Sequence, residues 1–218
     1  MFDISTFIQQ FAILAIPVLS AITFHEVAHG YAAYLLGDPT AKDAGRLTLN
    51  PIKHLDPLGA LALFIVKVGW AKPVPINPGY FKNPRKGLIL VSLAGPVTNF
   101  VLAVLMALCF HLLSWIFVQV AGPTSLYIFR PLALIFLYGV VINIGLGVFN
   151  LLPVPPLDGS NILAGLLPPD WSRAFLKNSK YGFILLIFLF LTGTIHKIII
   201  PLIVTLGSLL IPDLYQYI

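Results

Sequence analysis

Two histidines and a glutamate stand in an unexpected place in this sequence. Phe24-His25-Glu26-Val27-Ala28-His29-Gly30 carries an H-E-x-x-H pattern. Between Ile4 and Leu36, His25, Glu26 and His29 are the only side chains of the Asp, Glu, Lys, Arg or His types. At 3.6 residues per turn, positions four apart share a helix face, so His25 and His29 point together and can hold one metal ion. Glu26, about a quarter-turn round, can reach a water on that metal. A soluble helix can carry these letters idly on a solvated face. A membrane span has no such face, and each charged side chain at its centre costs roughly 2.5–3.5 kcal/mol. Pattern and setting together point to a hydrolase site with one Zn2+ per chain, built in a transmembrane helix.

A second stretch adds polar groups: Asn150-Leu151-Leu152-Pro153-Val154-Pro155-Pro156-Leu157-Asp158-Gly159. Its prolines bar a helix interior. Non-helical backbone at membrane depth is tolerated where it is buried in protein or lines a wet cavity. The segment therefore reads as cavity lining, with Asn150 and Asp158 as its polar contents. Asp158 falls at or near the N-cap of a short helix over Gly159–Leu167. A cap and a third metal ligand are both open to it, and two histidines that lack a third ligand favour the second.

These groups need a scaffold, and composition says which kind. The chain has 218 residues, 58% hydrophobic and 10% charged, against roughly 45–50% and 25% in soluble domains. It reads as one membrane-embedded domain, 1–218, with the lipid bilayer as its surroundings. The net charge of +5 does not imply nucleic acid, because the basic residues flank spans. The single cysteine, Cys109, excludes an intramolecular disulfide and a thiolate zinc site. The first apolar run is too long for a signal peptide and is expected to stay in the mature protein.

The predicted class is an all-α polytopic membrane protein. Spans are expected over Ile4–Leu36, kinked at Pro17, over Leu88–Val120, and over Pro131–Leu152. Tyr181–Ile211 reads as a pair of short helices or one broken helix. The 37–87 segment carries eight of the thirteen Lys and Arg residues, which makes it cytoplasmic and the N-terminus external. Within it, Leu61–Asn77 is expected to form a small β-hairpin or re-entrant element at the cytoplasmic membrane face, with an anchored loop as the alternative. Gly95 and Asn99 share a face suited to close packing or an inward amide, and Gly139, Asn143 and Gly147 form a small-residue stripe. His54 and His111 read as histidines without catalytic duty.

The two polar stretches, in this order and in separate hydrophobic segments, resemble the site-2 protease family of intramembrane zinc metalloproteases. Gly45-Arg46-Leu47-Thr48-Leu49-Asn50-Pro51, Gly69-Trp70-Ala71-Lys72-Pro73-Val74-Pro75 and Gly95-Pro96-Val97-Thr98-Asn99 resemble a compact bacterial branch without PDZ or CBS domains. The resemblance covers roughly Phe11 to Gly165. It implies a three-span catalytic core with further C-terminal helices. It also implies His25, His29 and Asp158 as zinc ligands, Glu26 as catalytic acid/base, and Asn150 as a polar active-site residue. The implied partner is the transmembrane segment of a membrane-protein substrate, cut near the cytoplasmic side. Two other classes compete: a zinc-binding membrane protein that does not cut, and an ion or proton transporter. Glu26 argues against the first, since a zinc holder has no use for it. The clustering of polar residues at one depth argues against the second, which needs them along a path.

Overall fold

The computed structural model describes residues 4–59, 69–120, 122, 125–212 and 214. The chain opens with α1, Ile4–Leu35. The apolar run stops where Gly37 takes φ 100° and the Asp38 N–H reaches back to the Ala33 carbonyl at 3.0 Å. That six-residue closure suits glycine, which tolerates the left-handed turn. A one-turn helix, α2 (Thr40–Asp43), ends the same way at Gly45, φ 63°, with the Arg46 N–H on the Ala41 carbonyl.

Helix α3 runs Pro84–Val120. It starts four residues before the expected Leu88, because Asn83 caps it and Pro84 fits the first turn. The Asn83 Oδ1 accepts from the Lys86 N–H at 3.1 Å. Helix α4, Ser125–Asn150, likewise begins before the expected Pro131 and passes through it. Four shorter helices follow: α5 (Asp158–Leu166), α6 (Pro169–Lys177), α7 (Ser179–Leu191) and α8 (Thr194–Leu210). Gly193, φ 70°, breaks the expected Tyr181–Ile211 run between α7 and α8, and α6 and α7 meet at 63°.

The architecture is helical, with no strand among the described residues. Among the described residues, three helices are long and apolar enough to cross a membrane: the Phe11–Leu35 part of α1, α3 and α4, or up to four spans if the bent α6–α7 pair counts as one. Their outer faces leave Phe11, Leu14, Leu105, Leu108, Leu112 and Trp115 exposed, as expected where lipid is the neighbour. Helices α1, α3 and α4 pack on one another. Gly139 and Gly147 of α4 leave room for Met106 and Phe100 of α3, to which an added Cβ would come within 3.0 Å. Ile195 and Ile199 of α8 complete a core with Ala103, Ala107, Leu137 and Ile144. An apolar cavity of about 750 Å³ lies between Pro153–Pro155 and α6–α7, lined also by Trp171 and Phe175. None of the five candidate site residues lines it.

The expected Leu61–Asn77 element lies partly outside the described residues, at Leu61–Val68. Its remainder pairs elsewhere: Ala71 makes an antiparallel bridge to Leu55, and the Lys72 N–H donates to the His54 carbonyl at 2.9 Å. The 72–77 stretch is then extended, with prolines at 73 and 75 denying it a ladder. Its far end is tied to the end of α1, where Asp38 Oδ2 accepts from the Asn77 N–H at 2.6 Å. Burial works against the ionised Asp38. Hydrogen bonds from the Thr40 hydroxyl, the Asn77 amide and the Thr40 amide outweigh it and hold the carboxyl below its usual range.

A carboxyl with a depressed folded pKa contributes stability that is fully present above its unfolded value, about 3.9. That contribution is lost as pH falls through the folded value. Asp38→Ala is expected to speed hydrogen exchange at the Asn77 amide about tenfold or more at neutral pH, since bonds to charged groups contribute roughly 1.5–3 kcal/mol. The wild type should approach the variant as pH drops below about 4. Exchange rates corrected for intrinsic pH dependence check both points.

Candidate metal centre

Helix periodicity brings His25 and His29 together as expected, with ring centroids 4.5 Å apart and ring planes perpendicular. Their Nε2 atoms are 3.0 Å apart. Asp158, the first residue of α5, comes from 129 positions beyond His29 and places Oδ2 3.2 Å from each of them. The N-cap position of α5 is taken by Leu157, so Asp158 is not the cap residue. The return of the chain depends on Gly159, where a Cβ would stand 2.2 Å from the Leu151 carbonyl oxygen.

The outer faces of the imidazoles determine what their inner faces carry. His29 Nδ1 lies 2.7 Å from the Val91 carbonyl oxygen. A carbonyl only accepts, so Nδ1 bears a proton, and in the neutral ring, the form that ligates a metal, Nε2 is bare. His25 Nδ1 lies 2.6 Å from Asn99 Oδ1. The orientation of that amide follows from its own partners: Nδ2 of Asn99 donates to the Ala21 carbonyl at 3.2 Å and to Asn143 Oδ1 at 2.9 Å. Asn143 in turn donates to the Gly139 carbonyl at 2.8 Å. Backbone acceptors therefore orient both amides, and His25 too presents a bare Nε2.

Three lone-pair atoms thus face one another in a buried place, and Asp158 Oδ2 has no hydrogen-bond partner. Such a set is costly unless a cation compensates it. For tetrahedral zinc with bonds of roughly 2.0–2.1 Å, ligand atoms stand about 3.3 Å apart. The observed 3.0–3.2 Å spacings fit that ion. Two imidazoles and a carboxylate also suit zinc chemically, and second partners on ligating histidines are its usual companions.

Gly95 of α3 makes the approach possible. A Cβ there would lie 2.5 Å from His29 Nε2 and 2.6 Å from His25 Cε1. Spacing marks Gly95 and Asn99 for close packing or an inward amide, and Asn143 with its glycines for a helix contact; the structure has Gly95 in close approach and the Asn99 amide turned inward on His25. Which ring nitrogen they served was invisible, because the partners come from three helices. Glu26 lies beside the cluster with Oε2 accepting from the Val74 N–H at 2.9 Å. Asn150 is not drawn into hydrogen-bond contact with the group; its amide donates to Leu146, one turn back, at 3.0 Å. The other histidines stay apart. His54 is fully buried and donates to the Thr48 carbonyl at 2.8 Å. His111 donates to the Leu210 carbonyl at 2.8 Å, and His196 stands edge-on to Phe190.

Asn99→Leu is expected to weaken zinc binding roughly 10- to 100-fold, the usual effect of removing a partner of a ligating histidine. Gly95→Ala should weaken it by at least as much, through displacement of the rings. Competition against a zinc chelator, on protein shown to remain folded, checks both.

The comparisons with known proteins agree with this geometry. Residues 12–192 match peptidase family M50. The chain is 44% identical to YwhC of Bacillus subtilis over 82% of its own length and 80% of that protein's. It is 28% identical to Rip2 of Mycolicibacterium smegmatis, covering 88% and 71%. With MJ0392 of Methanocaldococcus jannaschii it shares 24% identity over 90% of this chain and 48% of the other. No solved structure matches significantly. A match that takes in both the α1 histidines and the Asp158 turn leaves one conclusion: the chain belongs to peptidase family M50, a family of metalloproteases.

Proposed function

We propose that this metalloprotease hydrolyses peptide bonds within transmembrane segments of other membrane proteins, in regulated intramembrane proteolysis, near the cytoplasmic face of the cell membrane. The observation that carries the reading is the convergence of two imidazole nitrogens and a carboxylate oxygen, with Glu26 next to His25 in the same helix, at the packing of helices long enough to span a bilayer. Zinc is the cofactor; the relatives YwhC, Rip2 and MJ0392 bear zinc metalloprotease names. The basic 37–87 segment supports a cytoplasmic placement of this end of α1.

In this reading His25, His29 and Asp158 hold the ion, which when bound supplies a Lewis acid to polarise the scissile carbonyl and activate water. Glu26 takes the proton of the attacking water and returns it to the nitrogen of the leaving amine. Its Oε2 is occupied by the Val74 N–H, so Oε1 is the oxygen that serves. Asn150 sits at the end of α4, beside the turn that leads to Asp158, and its carbonyl oxygen is the group left to meet a substrate amide. The substrate segment must unwind locally, since helical hydrogen bonds hide its peptide bonds. Strand addition to residues 72–77 has little to draw on, because prolines 73 and 75 have no N–H and the Val74 and Asn77 N–H groups are engaged within the protein.

Zinc content and cleavage of a labelled membrane-span substrate, measured on one set of variants, test the reading. Wild type and Glu26→Gln should each hold near one zinc, with Glu26→Gln reduced in turnover by about 100-fold or more. Asp158→Ala should lose most of its zinc. Asp158→Ala that remains folded and fully loaded would sink the three-ligand site, and Asn150→Ala with full turnover would remove Asn150 from it.

A further inference from the structure

The extended 72–77 stretch passes the metal centre with an unusual economy of hydrogen-bond donors. Pro73 and Pro75 have no N–H, so Val74 supplies the one donor in Pro73-Val74-Pro75, and Val74 precedes a proline, which restricts it to extended backbone. That donor goes to Glu26 Oε2 at 2.9 Å. The carbonyls just before it go to a single side chain: Arg46 donates from Nη2 to Lys72 at 2.6 Å and from Nη1 to Pro73 at 3.1 Å. Pro73 and Val74 share the peptide unit whose carbonyl Arg46 holds and whose N–H Glu26 holds. Being planar, that unit transmits orientation from one end to the other.

Arg46 is itself firmly placed. Its backbone N–H closes the Gly45 turn on Ala41 at 2.9 Å, and the residue is 6% exposed. Its buried Nε has no hydrogen-bond partner, so its burial leaves one donor uncompensated while the guanidinium fork grips two carbonyls. A planar fork suits two neighbouring acceptors as a lysine ammonium does not. Val74 also packs near Gly30, whose added Cβ would lie 3.1 Å from Val74 Cγ1, so the peptide unit is seated on the turn of α1 that follows the histidines.

We infer that Arg46 is a positioning residue for Glu26, acting through the Pro73–Val74 peptide unit to pin one carboxylate oxygen and leave the other aimed at the reacting water. The inference rests on the acid/base role proposed for Glu26. It assigns Arg46 no contact with substrate or metal.

The test uses the full chain in detergent with the same labelled membrane-span substrate, reading kcat, KM, zinc per chain and hydrogen exchange at the Val74 amide. Arg46→Met is expected to lower kcat about 10- to 100-fold, in line with the cost of a misplaced catalytic group. KM should stay within about twofold, zinc should be unchanged, and exchange at Val74 should rise. Arg46→Lys, which can reach one carbonyl at a time, should recover part of kcat. A backbone ester at Val74, which deletes its N–H and keeps its side chain, should lower kcat similarly, and the ester combined with Arg46→Met should be no worse than either. The inference is overturned by unchanged kcat in Arg46→Met, by a rise in KM alone, or by additive losses in the pair. If Arg46→Met fails to fold, the ester variant decides: wild-type kcat in it overturns the inference. Wild-type turnover in Glu26→Gln, or no cleavage of the membrane-span substrate by wild type, would instead count against the underlying function.

Discussion

A cluster of uncompensated lone pairs is the constraint on which this structure depends. Two histidine nitrogens and a carboxylate oxygen face one another at 3.0–3.2 Å. Their protons have been assigned outward by a backbone carbonyl and an oriented amide. Water would satisfy such atoms at a surface. Among apolar helices they need a cation, and the rest of the fold serves to hold them where one can be bound.

Holding them demands close approach, which in a membrane cannot come from the hydrophobic effect between helices. It comes from small residues and interhelical hydrogen bonds. Gly95 lets α3 come up beneath the imidazole rings, while Gly139 and Gly147 let α4 close on Met106 and Phe100. The same contacts bring Asn99 and Asn143 into one hydrogen-bonded line ending on His25. Packing and tautomer selection are therefore one device: moving α4 would disturb the protonation pattern at α1.

The polar segment between α1 and α3 forms a second support. Asp38, Arg46 and His54 take hold of residues 72–77 at both ends, by side chain and by backbone. Each is buried, and each is paired with backbone groups that prolines have kept from forming a sheet. The result is a strap, tied at both ends, that presents one N–H to Glu26.

Much of this was legible in the chain itself. The i, i+4 spacing of His25 and His29 dictates a shared face in any helix, and the long apolar runs dictate membrane spans, because both depend on local periodicity. Pro153, Pro155 and Pro156 likewise dictate a non-helical turn before Asp158. The choice between cap and ligand for Asp158 was not local. It required α5 to pack on α3 with Asp158 reaching the α1 histidines, which the short backbone approach at Gly159 permits. Nor could spacing reveal that Asn99 orients His25, that Asn150 bonds to its own helix, or that Arg46 reaches residues 72 and 73. Helical periodicity tells which residues share a face and nothing of which face meets which. That pairing was decided by tertiary packing, where glycines determine how near two helices come and a handful of buried hydrogen bonds determine their register.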